Sequence, residues 1–411
     1  MRILMLSWEY PPRIVGGIAR HVEELSIALV KQGHEVHVVT ANHPNTLEHE
    51  NDRGVQVHRV KSPDFETPDF LSWVLQLNAG MTQYALELHR EQPFDLVHAH
   101  DWLVGHAAVT LKKGLALPLL TTIHATEIGR NKGHLHSELS KYINQMEWYL
   151  GFESWRVIVC SHYMHREMTQ HFQVPDNKLD IIPNGVDFKK FDLDMSDEAK
   201  LHFRRHFATD HQKLVFFVGR MVPEKGAQVL LEAVPRILSQ YHDARFVIVG
   251  KGGFLSDLKR RAHELGVEAY VHFTGFVSDE DLLKLYQVID VAVFPSLYEP
   301  FGIVALEGMA ARVPTVVADT GGLGEIVEHT KSGITTYAGN AESLAWGITE
   351  VLKHPDYAQS LRTNARERVE KVFNWDLIAT STGAVYERII TEFSQAHGAL
   401  AAQKSKATSK R

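Results

Sequence analysis

Short apolar runs alternate with amphipathic stretches along nearly the whole chain, and that alternation limits the fold more than any other feature. In the first half, residues 3–6, 35–39, 55–60, 96–98, 119–123, 157–159 and 180–182 read as strands. In the second, 214–218, 245–249, 271–273, 291–294 and 315–318 repeat the theme. Residues 19–32 carry helical spacing and stop at Gly33, a typical C-terminal stop. Strands alternating with helices predict parallel sheets and a doubly wound α/β fold. At 411 residues the chain exceeds what one hydrophobic core normally serves, so two domains are expected. Their boundary belongs within 184–211, where apolar periodicity lapses and charge dominates. The reading adopted is a first domain at 1–190, a second at 191–374, a helix at 375–395 and a disordered Ala/Lys/Ser-rich tail at 396–411.

Composition narrows the function classes. A net charge of −7 leaves no excess of cation for phosphates, which argues against general nucleic-acid binding. The single cysteine, Cys160, rules out an intrachain disulfide framework and fits a reducing cytoplasmic setting. No apolar stretch approaches bilayer length, and the run 3–6 leads into Pro11-Pro12 without a small-residue cleavage site. The segment Pro63-Asp64-Phe65-Glu66-Thr67-Pro68-Asp69-Phe70 reads as an irregular loop with exposed aromatics, either a lid or a cap on the core. Oligomeric state is not legible.

The segment from Glu299 to Glu307 carries the chemistry. An apolar strand runs into a turn at 296–300, and after Gly302 the pattern turns helical. Glu299 thus precedes a helix N-terminus, and Glu307 lies about one turn inside it. Phe301, Gly302, Ile303 and Val304 supply the N–H groups of that terminus, which favour an anion such as a phosphate. A carboxylate on either side can accept hydrogen bonds from hydroxyls. Phosphate flanked by two polyols describes a nucleotide-sugar.

A second set of residues points the same way. The buried strand ending at Gly219 runs into Arg220-Met221-Val222-Pro223-Glu224-Lys225-Gly226 and then an apolar-periodic helix. Arg220 and Lys225 therefore lie on a loop at the carboxyl end of a parallel strand, where open α/β sheets bind ligands. Arginine grips phosphate oxygens as a fork, and lysine supplies a point charge.

Together, Gly219-Arg220…Glu224-Lys225-Gly226 and Glu299…Glu307 resemble the donor site of the retaining glycosyltransferase family 4 and its glycogen-synthase relatives. The resemblance extends over about residues 1–390, through Ser7-Trp8-Glu9-Tyr10-Pro11-Pro12, Gly16-Gly17, His100-Asp101-Trp102, Ile123-His124 and Pro183-Asn184-Gly185-Val186-Asp187. It implies the GT-B arrangement, two Rossmann-like domains facing a cleft, with the final helix crossing back to the first. It also implies that the Gly16-Gly17 loop closes over the donor diphosphate and that His124 contacts the donor sugar. Asp101 would lie on the acceptor side of the reacting centre. Asn184 would lie there too, although it also reads as a turn residue before Gly185.

Metal has two weaker footholds. His98 and His100 share a strand face, but no further His/Asp cluster at ligand spacing joins them. Asp192-Leu193-Asp194 is spaced like a metal–diphosphate motif yet falls in the charged linker and reads as solvated. Arg220, Lys225 and the helix terminus can neutralise a leaving diphosphate without metal, so no cofactor is expected.

The expected activity is transfer of a hexose from a nucleoside diphosphate to an acceptor hydroxyl with retention. Catalysis would rest on Glu299, Arg220, Lys225, His124 and Asp101. Glu307 would hold the ribose and Glu299 the donor sugar, with Gly16, Gly17, Phe301, Gly302, Ile303 and Val304 completing the donor site. The motifs look closest to α-1,4-glucan synthases. Ile14-Val15-Gly16-Gly17 lacks the lysine of the bacterial Lys-x-Gly-Gly pattern, which leaves ADP-glucose and UDP-glucose both open. The alternatives are another acceptor (a disaccharide, lipid or surface glycan), a nucleotide-sugar epimerase, or a non-catalytic nucleotide-sugar sensor.

Overall fold

The structure is a computed structural model and describes residues 1–61 and 67–408, with 397–408 described by backbone alone. Residues 63–66 of the loop read at 63–70 therefore lie outside the described residues. Phe70 itself begins the helix Phe70–Glu91, capped by Asp69, whose side chain accepts from Ser72 N at 2.8 Å.

The chain divides into two compact units, Met1–Pro183 with Trp375–Arg411, and Asn184–Asn374. The first is built on strands β1 (Arg2–Leu6), β2 (Glu35–Ala41), β3 (His49–Asp52), β4 (Val55–Val60), β5 (Leu96–His100), β6 (Leu119–Ile123), β7 (Arg156–Val159) and β8 (Leu179–Ile181). Their order is β3-β4-β2-β1-β5-β6-β7-β8, parallel throughout except for the β3–β4 pair. Most of these strands are buried along their length, as expected of strands covered on both faces. The polar edge strand β3, His-Glu-Asn-Asp, has no apolar pattern and could not be read from the sequence.

The second unit contains β9 (Lys213–Val218), β10 (Ala244–Val249), β11 (Val271–Gly275), β12 (Val291–Phe294), β13 (Thr315–Ala318) and β14 (Ile334–Thr336). All pair in parallel, in the order β11-β10-β9-β12-β13-β14. Both units are thus Rossmann-like α/β domains. In each sheet the strand order reverses once, between β1 and β5 and between β9 and β12. Ligands of open α/β sheets bind outside the carboxyl ends of the strands at such a reversal.

Two boundaries differ from the sequence reading. The first unit closes at Pro183 because the segment after it is held by the second. Val186 N donates to Phe373 O at 2.8 Å, and Arg366 Nη2 donates to Asp192 Oδ2 at 2.6 Å. The last helix runs Trp375–Thr408, beyond 395 and into the segment read as disordered. Its Ala, Gln and Lys content there is of high helix propensity, so nothing local stops it. Trp375, Ile378, Ala379, Val385, Tyr386 and Ile389 of this helix are buried in the core of the first unit. Among the described residues, no helix is long and apolar enough to cross a membrane.

Candidate active-site residues

In the second unit, the loops after β9 and β12 meet at the strand-order reversal and are tied together. Leu297 N donates to Glu224 O at 2.7 Å. Gly226 has φ +76°, and a Cβ there would sit 1.9 Å from Pro295 O. That approach joins the two loops and is open to glycine alone. Replacing Gly226 by alanine combines a clash with backbone and a left-handed φ. It should cost about 3 kcal/mol, read as a lowered denaturant midpoint at unchanged slope.

This junction brings Lys225 to Glu299. Lys225 Nζ lies 2.6 Å from Glu299 Oε2, which also accepts from Ser296 Oγ at 3.2 Å. The Glu299 carboxylate is 9% exposed and Lys225 21%. Separate roles for the two were read from sequence, but they form one ion pair. Arg220 is half exposed, 3.9 Å from Glu224 Oε1, and leaves most of its fork available.

Gly302 (φ +113°) starts the helix Ile303–Ala310, and Ile303 and Val304 are only half buried at its N-terminus. Phe301 is 4% exposed with its ring against Phe373, so its part in binding falls to its backbone. Glu307 accepts from the hydroxyl of the buried Tyr286 at 3.3 Å. Two features here have no signature in the sequence. Gly322 N donates to Glu299 O at 2.9 Å, and a Cβ on Gly321 would lie 1.8 Å from that oxygen, so the Gly321-Gly322 pair fixes the Glu299 backbone. Phe276, just after β11, is 68% exposed with Lys251 Nζ 4.7 Å above its ring.

In the first unit, the loop after β1 and the residues after β5 and β6 meet at the other reversal. Gly16 caps the helix Gly17–Lys31, and Glu9 Oε2 accepts from Val15 N at 2.6 Å and Gly16 N at 3.1 Å. Glu9 is therefore the anchor of the Gly16-Gly17 loop. A buried glutamate two residues before two prolines was visible in the sequence but not singled out. Asp101 is buried, has φ +60°, and its Oδ1 accepts from His124 N at 2.7 Å. A left-handed aspartate at a strand end stores strain of the kind found at functional sites. Burial pushes its carboxyl up to about 7, against hydrogen bonds and Arg130, which pull it down. Burial also raises Glu147 well above the carboxylate range, although both its oxygens accept from Glu127 N.

His124 Nε2 lies 3.1 Å from His100 Nδ1, and the ring of His21 stands 4.6 Å from that of His124. His98 is not part of this group. Its nitrogens are taken by Tyr386 and Thr122, each at 2.8 Å, which makes it a structural residue. His21, His100 and His124 each offer one nitrogen within 4.8 Å of the others. The sequence reading found no such cluster, because His21 comes from a helix far away in the chain. Burial holds His100 and His124 well below the usual imidazole range, so they stay neutral, and neutral imidazoles are the form a borderline metal ion takes. Asp192, read as solvated, instead pairs with Arg366 and Arg312. Asn184 is buried at the start of the second unit.

Each Rossmann-like α/β domain thus carries a polar constellation at its strand-order reversal. Residues 199–368 match Glycosyl transferases group 1, and residues 15–190 match Glycosyltransferase Family 4. An uncharacterized glycosyltransferase of Methanocaldococcus jannaschii is 41% identical over 388 residues, 94% of this chain and 98% of that one. A glycogen synthase of Mycobacterium tuberculosis is 35% identical over 402 residues, 94% of each chain. In structure, the sucrose-phosphate synthase of Thermosynechococcus elongatus superposes with a TM-score of 0.80 at 24% identity, covering 95% of this chain and 99% of that one. The chain belongs to the glycosyltransferases of this family, and its fold is that of the GT-B enzymes.

Proposed function

We propose that this chain is a retaining hexosyltransferase that moves glucose from ADP-glucose or UDP-glucose to the end of an α-1,4-glucan. What supports the chemistry is the Lys225–Glu299 pair with Arg220 beside a helix N-terminus, all at one strand-order reversal. What supports the glucan is the 35% identity to a glycogen synthase across nearly both whole chains.

The demand of the reaction is charge on the departing diphosphate and positive character at the anomeric carbon. Arg220, Lys225 and the N–H groups at 302–304 stabilise the leaving group, usually the largest single contribution to such a barrier. Glu299, held by Lys225, Ser296 and Gly322, accepts from donor-sugar hydroxyls, and Glu307 from the ribose. Phe276 offers a flat face on which a nucleobase stacks. In the first unit we assign His124 to the donor sugar, Asp101 to the acceptor side with Asn184 of the second unit, and the Gly16-Gly17 loop to the diphosphate. Retention follows from attack on the face the diphosphate leaves, with the leaving phosphate taking the acceptor proton. No protein carboxylate then forms a covalent intermediate, unlike the usual retaining glycosidase.

The deciding experiment is nucleoside diphosphate release from ADP-, UDP- and GDP-sugars, each with and without maltooligosaccharide. Release that needs both a glucose donor and the glucan supports the proposal and identifies the base. Release with another acceptor keeps the chemistry and changes the substrate. Binding without release moves the epimerase or sensor reading ahead. Because protein cations meet the diphosphate charge, dialysis against a chelator should leave the transfer rate within about twofold of its starting value, measured by the same release.

A further inference from the structure

Beyond β12, the edge of the second sheet carries a cavity of about 580 Å³ beside β14. Its size falls within the roughly 300–1,000 Å³ of small-ligand sites. Its walls include Asp319, His329, Tyr337, Asn340, Ser343 and Trp346. Tyr337 is 75% exposed and Trp346 45%, so two aromatic faces are offered to solvent in one hollow. Both are held in place. Tyr337 N donates to Ser343 Oγ at 3.1 Å, while Trp346 sits within the helix Ala341–Lys353 with the His329 ring at 6.3 Å. The His329 ring is in turn fixed by Thr335, whose N–H donates to Nδ1 at 3.1 Å.

The lining excludes most ligand classes. No lysine or arginine lines the hollow, while Asp319 and Glu342 do, so a phosphate or other anion finds no cation there. The carboxylate of Glu342 is engaged by Arg236, which leaves Asp319 as the charged acceptor. Exposed aromatic faces with a carboxylate, an amide and hydroxyls around them suit a neutral ligand with an apolar face and a rim of hydroxyls. A pyranose ring is such a ligand: its axial C–H groups pack on an aromatic face, and its hydroxyls donate to carboxylate oxygens. Two aromatics in one open hollow fit consecutive sugar units better than a monosaccharide.

We propose that the Tyr337–Trp346 hollow is a second, non-catalytic site for a run of α-linked glucose units. It rests on the reading above for the identity of the sugar. A polymer held there raises the local concentration of its own chain ends, an advantage that a short acceptor cannot share.

The test is electrophoresis of the native protein through gels with and without glycogen, comparing wild type with Tyr337→Ala/Trp346→Ala. Both residues are exposed, so the substitutions leave the core untouched. Wild type should be retarded by glycogen, and the double variant should need about tenfold more polymer for equal retardation. Initial rates give a second readout: KM for glycogen should rise about tenfold in the variant, with kcat and KM for maltotetraose unchanged. Equal retardation of the two proteins, or none of wild type, overturns the proposal. Retardation does not depend on turnover, so loss of transfer to any glucan would refute the proposed reaction alone. The hollow would then stand or fall by the gel.

Discussion

Lys225→Ala should lower kcat by about 10²–10³-fold while the protein remains folded, measured as nucleoside diphosphate release at saturating donor and acceptor. The magnitude is that of removing one preorganised electrostatic contact to a developing anion. The same substitution also leaves Glu299 without its partner. Glu299 is nearly buried, and breaking a buried pair by deleting one member costs more than the pair was worth. Lys225 retains some contact with water, so that cost is discounted to about 1–2 kcal/mol. A fall in activity could therefore reflect a shifted Glu299 loop instead of a lost cation, and a second variant separates the two. In Lys225→Ala/Glu299→Gln the unpaired charge is gone, so stability should return to near wild type. If this double variant's activity falls well below that of Glu299→Gln alone, the cation itself served the reaction. If its activity equals that of Glu299→Gln alone, Lys225 was only a brace for the loop. Arg220→Ala, on a half-exposed side chain with one distant partner, should lose activity with almost no change in stability.

The sequence was most legible where one local rule decides the outcome. Buried parallel strands read as apolar runs, and the loops after β9 and β12 could be placed from Gly219 and Gly302 without a structure. Strand order made those loops neighbours, and order is a long-range property. Nothing local says that β9 pairs with β12, so the Lys225–Glu299 bond, across 74 residues, could not be read as a bond. The same limit hid the histidine cluster, whose members come from a helix and two strand ends, and it made His98 look more available than it is. Tyr386, which holds His98, lies 288 residues away. Glu9 and Gly321-Gly322 were missed for a different reason. They support the backbone of other site residues, a role with no composition or spacing of its own. The last helix runs past its expected end because helix propensity decides where an Ala/Lys/Ser composition alone suggests disorder.

Acidification should unfold this protein unusually early, with stability falling by about 2 kcal/mol or more per pH unit near pH 5.5. Burial pushes His58 and His98 down to about 3, and holds His100 and His124 well below the usual 6.5. Each lowered imidazole stays neutral in the folded chain but takes a proton in the unfolded chain below 6.5. Its contribution is complete above that value and is lost as the pH falls. Asp101 and Glu147 act in the opposite sense. Their carboxyls are raised, so between their folded values and about 4 the folded chain holds protons that the unfolded chain has released. Burial also lowers His34, His37, His89 and His106, so the lowered imidazoles outnumber the two raised carboxyls and the unfolded chain binds two or more extra protons, each worth about 1.4 kcal/mol per pH unit. The measurement is the urea midpoint of chelator-treated protein from pH 7.5 to 5. Asp101→Asn tests this directly, because asparagine matches aspartate in size and shape and its oxygen can still accept from His124 N. It removes one opposing carboxyl and should steepen the slope by about one proton. It should also stabilise the protein at pH 8, where wild type carries a buried charge. A midpoint flat across this range would mean that the histidine cluster is solvated and protonates in the folded state.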